Sequence, residues 1–240
     1  MLEGKVVIIT GSGGGIGQYV AKTFAQARAK VVVSDIKPLD AISAELEAME
    51  ADYLAIPADV RDQTAVHNLM SRTLDRFGRI DVLHNNAAVV PHVSRRDPRW
   101  SRISGLDLDL WNWVIQTNLG GAFLCTSLAL PHMEAQRSGH IISTMGGSRR
   151  VGAAPYQVSK DAIRSFTRAV AEEEREFNIC VVAMTPGGRI AVEGTDEEVL
   201  AQYPGPEAVG NRFVLASEAG MELSGQLIDV EDGKLVGRPL

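Results

Sequence analysis

The stretch "KVVIITGSGGGIGQ" near the start narrows the folds open to this chain more than any other. A β-branched run stops at Thr10, glycines crowd the positions from Gly11 to Gly17, and an amphipathic segment follows. That order predicts a strand, a tight turn and a helix whose first amides point out of the turn. Gly11, Gly15 and Gly17 fall where the backbone must bend sharply or be approached closely. Such a turn leaves room for an anion, and the helix N-terminus attracts one. A plain strand-to-helix connection uses glycines too, so the weight of the motif comes from what surrounds it.

What surrounds it is a rhythm. Short β-branched runs alternate with longer amphipathic stretches: "KVVIIT", a helix from about Gly15, "KVVVSD", a helix over 40–50, "YLAIPAD", a helix over 62–77, and "IDVLHNN". The pattern continues with a long helix near 109–136, "HIIST", a helix from about Pro155, "NICVVAMT", a short helix after Pro206 and a last strand "GQLIDV". Alternation of this kind calls for an α/β fold, a doubly wound parallel sheet of about seven strands with helices on both faces. The 240 residues suit one domain over 1–240. Two segments break the rhythm, 91–108 and 186–206, and both follow carboxyl ends of strands, where an open α/β sheet places its ligands.

Composition excludes several classes. The net charge of -6 and scattered Lys and Arg give no basic stripe for a nucleic acid. The five-residue apolar run before "GSGGGIG" is too short for a signal core or a membrane span, so no membrane role is expected. Cys125 and Cys180 lie in apolar stretches and read as buried small hydrophobes, which suits a reducing, cytoplasmic setting and calls for no metal.

Asp35 ends the second strand, 18 residues past Gly17. A carboxylate at that spacing reaches the ribose hydroxyls of NAD and repels the extra phosphate of NADP, so NAD is the expected cofactor. Lys37 could still reach a phosphate, and a polar strand end or a cap of the next helix explains Asp35 equally well.

Tyr156 and Lys160 are four apart in a helical stretch, so both project from one face. An ammonium beside a phenol favours phenolate, lowering a pKa normally about 10 and making a general acid/base.

Together "TGSGGGIG", "AD" at 58–59, "NNAA" at 85–88, Asn118 in "VIQTNLGGAF", "YQVSK" and "PGG" resemble the short-chain dehydrogenase/reductase family, in order and spacing along nearly the whole chain. The resemblance implies a single-domain Rossmann fold. It implies that Gly11, Ser12, Gly15, Ile16 and Gly17 hold the pyrophosphate side of the cofactor, Asp35 the adenosine ribose, and Asp59 and Val60 the adenine. Asn86, Pro186 and Gly187 would line the cofactor farther on. Tyr156 would take the alcohol proton while hydride passes to the nicotinamide, Lys160 would also bind the nicotinamide ribose, and Asn118 would order a relay water.

The hydroxyl that usually holds the substrate is harder to place. Relatives carry a serine seven residues after the glycine opening the fifth strand and thirteen before the tyrosine. Counting forward from Gly139 reaches Gly146, and counting back from Tyr156 reaches Ser143. A central strand cannot lose three residues without flipping its faces, whereas the loop after it can. The serine position therefore falls on Gly146, leaving Ser143 about 10 Å too deep in the strand. Thr144 and Ser148 are the other hydroxyls within range. Further departures are Ala88, where a glycine is usual, Gln157 after the tyrosine, and "PGGRIAVE", which lacks the usual threonine; the segment 186–206 is shorter than the usual lid.

Arg95, Arg96, Arg99, Trp100 and Arg102 fall near the sheet's carboxyl edge, and one of Arg149 and Arg150 is expected to face the cleft and hold a substrate anion. Relatives pair the two long helices between subunits, so a homodimer or homotetramer is implied. The function expected is interconversion of a secondary alcohol and a ketone. A non-catalytic dinucleotide-binding sensor or scaffold, or lyase or isomerase chemistry on the same fold, would use the same cleft.

Overall fold

A computed structural model of the chain describes residues 2–90, 101–147, 151–187 and 207–240. Arg95, Arg96, Arg99, Trp100, Ser148, Arg149, Arg150 and the segment 188–206 lie outside the described residues, and with them the expectations of an anion-binding arginine pair and of a shortened lid. Arg102 is exposed.

The order of elements is β1 (Val6–Thr10), α1 (Gly15–Gln26), β2 (Lys30–Ser34), α2 (Asp40–Ala48), β3 (Tyr53–Ala55), α3 (Gln63–Phe77) and β4 (Val82–Asn85). Then come α4 (Leu108–Ile115), a π-helical segment Gln116–Gly120, α5 (Gly121–Gln136), β5 (Gly139–Thr144), α6 (Ala154–Glu173) and β6 (Ile179–Met184). The chain ends in α7 (Glu207–Ala216), β7 (Gln226–Glu231) and β8 (Lys234–Pro239). The strands form one sheet in the order β3-β2-β1-β4-β5-β6-β7-β8. All neighbours run parallel except β7 and β8.

The central parallel strands are buried on both faces, and their residues alternate between two cores as the period of two requires. Val7, Ile9, Val31, Val33, Val82 and Ile142 point to the face covered by α1, α2 and α7. Val6, Ile8, Val32, Leu83 and Ile141 point to the face covered by α3, α5 and α6. At the amino edge Asp81 joins β1 to β4: its carboxylate accepts from the Val6 amide at 3.0 Å, Lys5 Nζ at 2.9 Å and Arg79 Nη2 at 2.7 Å.

The sheet has eight strands, one beyond the expected number of about seven. β8 is a half-exposed hairpin partner of β7, joined through Asp232 (φ 48°) and Gly233 (φ 74°). Asp-Gly is the pair that tolerates positive φ at both centres of a two-residue hairpin turn, so the sequence itself carries the signal for this hairpin.

The helical stretch Leu108–Gln136 has the length and mean hydropathy (1.2) of a membrane span. Its Cys125, Ala129 and Met133 pack on the sheet instead. Both cysteines are free and buried, as the apolar contexts predicted.

β1 lies between β2 and β4, so the chain departs in opposite directions on either side of it. The crevice this opens, at the carboxyl ends of β1 and β4, is where such sheets bind ligands.

Candidate active site and cofactor crevice

The crevice begins with the glycine loop. Gly11 has φ +68°, and a Cβ there would lie 2.7 Å from Ala87 Cα, so the loop touches the chain leaving β4. A Cβ at Gly17 would collide with Gly11 O, which keeps the start of α1 close to β1. Gly15, at φ +55°, faces open space. Gly14 caps α1 in an extended conformation with no side-chain hydrogen bond, so the first amides of α1 are left to a ligand. Ile16 is half-buried against the α1 core. Ser12 does not point into the crevice as a free donor: it is fully buried, its hydroxyl exchanging hydrogen bonds with Ser34 O (3.2 Å) and Ser34 N (2.8 Å).

Asn86 fastens this loop. Its Nδ2 donates to Thr10 O and Gly11 O, both at 3.0 Å, and Thr10 Oγ1 accepts from the amides of Asn86 and Ala87. Asp35 stands beside the loop, accepting from the Gly13 amide at 2.9 Å and the Lys37 amide at 3.0 Å. Lys37 Nζ leans toward Gly14. The Asp59 carboxyl is held below its ordinary range by hydrogen bonds from the Arg61 guanidinium. Val60 is buried with its methyl against Gly121, so its side chain belongs to the α5 contact rather than to an open surface.

On the other side of β4, α6 brings Tyr156 and Lys160 over the carboxyl end of β5. Lys160 is buried, and its Nζ donates to Thr144 O at 2.7 Å. It lies 5.9 Å from the centre of the Tyr156 ring. Burial pulls its pKa down to about 8. The expectation of a phenol made more acidic by this ammonium is corrected here: burial pushes Tyr156 up to about 12, because the ring is enclosed by Leu110 and Val114. Desolvation outweighs a charge that is already engaged with a carbonyl.

Ser143 and Gly146, the two positions reached by counting, differ in their surroundings. Ser143 is buried inside β5, opposite Asn85 and Ala183. Position 146 is the one that faces the phenol, since a Cβ at Gly146 would collide with the Tyr156 hydroxyl. Thr144 Oγ1 is engaged with His84 Nε2 at 2.8 Å.

Asn118 sits in the π-helical segment, a distortion that recurs at functional sites. It is buried; its Oδ1 accepts from Val89 N at 2.7 Å, and its Nδ2 donates to Val89 O at 3.1 Å and Ser159 Oγ at 3.0 Å. Ser159 Oγ in turn donates to Tyr156 O at 2.7 Å, tying Asn118 to the turn of α6 that carries the phenol. Pro186 and Gly187 follow β6, with Gly187 (φ +88°) against the guanidinium of Arg212. Ser159, His84 and Arg212 were not read from the sequence. Nothing local marks them, because each acts through a contact between distant segments.

A family model described as short chain dehydrogenase matches residues 5–197. The chain belongs to the short-chain dehydrogenase family. It is 34% identical, over 98% of each chain, to a 3-oxoacyl-[acyl-carrier-protein] reductase of Synechocystis sp.. It is 32% identical to an L-fucose dehydrogenase of Bos taurus, over 90% of this chain and 77% of that one. Among solved structures, a metagenomic short-chain oxidoreductase in complex with NADP superposes with a TM-score of 0.77 at 24% identity, covering 92% of this chain and 94% of that one, and shares the fold.

As a short-chain dehydrogenase the protein is an NAD(P)-dependent oxidoreductase acting on CH–OH groups. The crevice fits a nicotinamide dinucleotide on its own terms. Gly15 at the turn faces open space, the start of α1 has no side-chain cap, and a carboxylate stands beside the loop.

Proposed function

We propose that this short-chain dehydrogenase interconverts a secondary alcohol and a ketone with NAD, using Tyr156 as general acid/base. The observation that carries the reading is the convergence of Tyr156 and Lys160 on the carboxyl edge of β5, with Asn118 linked to the same turn of α6 through Ser159. When bound, the nicotinamide exchanges hydride with the substrate carbon. Tyr156 holds a proton at Oη; with its pKa near 12 the phenol is protonated at neutral pH and ready to give that proton to a carbonyl oxygen as the alcohol forms. Giving up that proton leaves a phenolate whose charge the Lys160 ammonium offsets, and oxidation of an alcohol starts from this phenolate and returns the proton to Oη. The carboxylate of Asp35 beside the glycine loop favours NAD over NADP. On this reading Gly146 takes the position of the family's usual serine and the phenol acts without that neighbour, which the closeness of position 146 to the Tyr156 hydroxyl supports.

The absent side chain at 146 also motivates a second reading, a dinucleotide-binding sensor that does not turn over. The test is a panel of alcohols and ketones with NAD(H) and NADP(H), followed by absorbance, on the wild type and Tyr156→Phe. The enzyme reading expects NAD-linked turnover that falls by at least about 100-fold in the variant, while NADH binding persists. Binding without turnover across the panel would establish the sensor instead, and better turnover with NADP would remove the role given to Asp35. Exposed Phe123 on α5 and Val158 on α6 support a homo-oligomer, which light scattering reads as a multiple of 25.9 kDa; a monomer mass would refute it.

A further inference from the structure

Arg212 lies on α7, far in sequence from the glycine loop and from the Tyr156 helix. Its guanidinium makes an ion pair through Nη1 with Asp229 Oδ1 and donates from Nη2 to Val230 O at 3.2 Å, gripping β7 at two successive residues. The place of this grip is informative. The β6–β7 ladder ends where Met184 pairs with Ile228; past it β6 leaves the sheet while β7 continues through Asp229 to Glu231. Arg212 occupies the gap where the two strands part. On its other side is the chain that has just left β6: a Cβ at Gly187 would lie 2.6 Å from Cζ, 2.8 Å from Nη1 and 2.9 Å from Nε. The backbone of Gly187 therefore rests on the guanidinium, at a φ of +88° that only glycine adopts readily. Pro186, with its fixed φ, precedes it.

The helix carrying Arg212 is anchored on α1. A Cβ at Gly210 would collide with Thr23 Oγ1, so α7 lies close on α1, the helix whose first turn closes the glycine loop. One arginine thus joins the helix packed on α1 to the turn that follows β6, and β6 ends beside Thr144, whose carbonyl holds Lys160. A guanidinium suits this bridging position because it is planar, always charged, and fixed in orientation once two of its nitrogens are engaged.

We propose that Arg212, held by Asp229, is a positioning residue that fixes the Pro186–Gly187 turn and thereby sets affinity for the nicotinamide half of the dinucleotide. The proposal rests on the cofactor reading given above. It separates the two halves of the ligand, because the adenosine and pyrophosphate contacts come from the glycine loop, Asp35 and α1, which Arg212 does not touch.

Isothermal titration of NADH and of ADP-ribose into the wild type, Arg212→Met, Arg212→Lys and Asp229→Asn tests it, with a thermal melt to show that each variant is folded. The expected result is an NADH Kd raised by about 10-fold in Arg212→Met and Asp229→Asn, with Arg212→Lys in between and ADP-ribose within about 2-fold of wild type throughout. Asp229→Asn leaves the arginine in place, so it serves if the position-212 variants do not fold. A parallel loss for NADH and ADP-ribose would reduce the pair to general support of the fold and overturn the proposal. Unchanged NADH affinity in folded variants would overturn it while leaving the cofactor reading intact. A wild type that binds neither ligand would remove both.

Discussion

Gly146 and Tyr156 share one small volume, and the sharing decides what the phenol can do. With no side chain at 146 the Tyr156 hydroxyl fills the space a Cβ would take, under enough cover to keep the proton on the oxygen. A methyl there must displace the hydroxyl or the loop. Gly146→Ala is therefore expected to lower kcat by about 10- to 100-fold, since a shift of an ångström at a reacting group costs that much. The thermal midpoint should fall only slightly, because the obstacle is the far end of one side chain. Steady-state kinetics with a substrate found for the wild type decides it, and an unchanged kcat would mean that Tyr156 does not work from this position. The pair at Tyr156 and Lys160 was legible in the sequence because a spacing of four places two side chains on one helical face. The direction of the tyrosine's shift was not, because it depends on how deeply tertiary packing buries the ring and on Thr144 O, sixteen residues from the ammonium it engages.

Elements were more legible than residues. The central strands β1, β2, β5 and β6 carry apolar runs because they are covered on both faces, and α1, α3 and α6 each carry an apolar stripe. β8 escaped because "KLVGRP" is short, half exposed and closed by Gly, Arg and Pro. The π-helical segment around Asn118 also escaped, since one extra residue in a helical turn leaves the apolar pattern on either side intact. The α1–α7 contact was invisible because Gly210 meets Thr23 across most of the chain. It makes a prediction at this scale. Gly210→Ala forces the two helices apart, and overpacking of this kind costs about 1–3 kcal/mol, which chemical denaturation will read. A variant as stable as wild type would mean that α7 repositions freely over α1.

For the molecule as a whole, His84 links stability to pH. It lies fully buried on β4, its ring 4.3 Å from that of Phe213, and burial together with the Lys160 ammonium pushes its pKa down from 6.5 to about 3. Unfolded, it would titrate near 6.5, so between pH 6.5 and 3 the unfolded chain binds a proton that the folded chain refuses. This group has no such effect above about pH 6.5; below it, folding stability falls by about 1.4 kcal/mol per pH unit on its account. Denaturation midpoints of wild type and His84→Gln at about pH 7 and about pH 4.5 should diverge, with the variant losing less on acidification. Equal losses would show that the imidazole accepts its proton without unfolding.

The two margins of the sheet also shape how copies of the chain meet in solution. β3 is only three residues long, and β8 is punctuated by Lys234 and Arg238 and ends at Pro239, which has no amide hydrogen to offer. A long, flat, apolar margin would recruit passing strands and grow by lateral addition. Here one margin is short and the other carries two charges and a proline, so neither offers a template for adding strands.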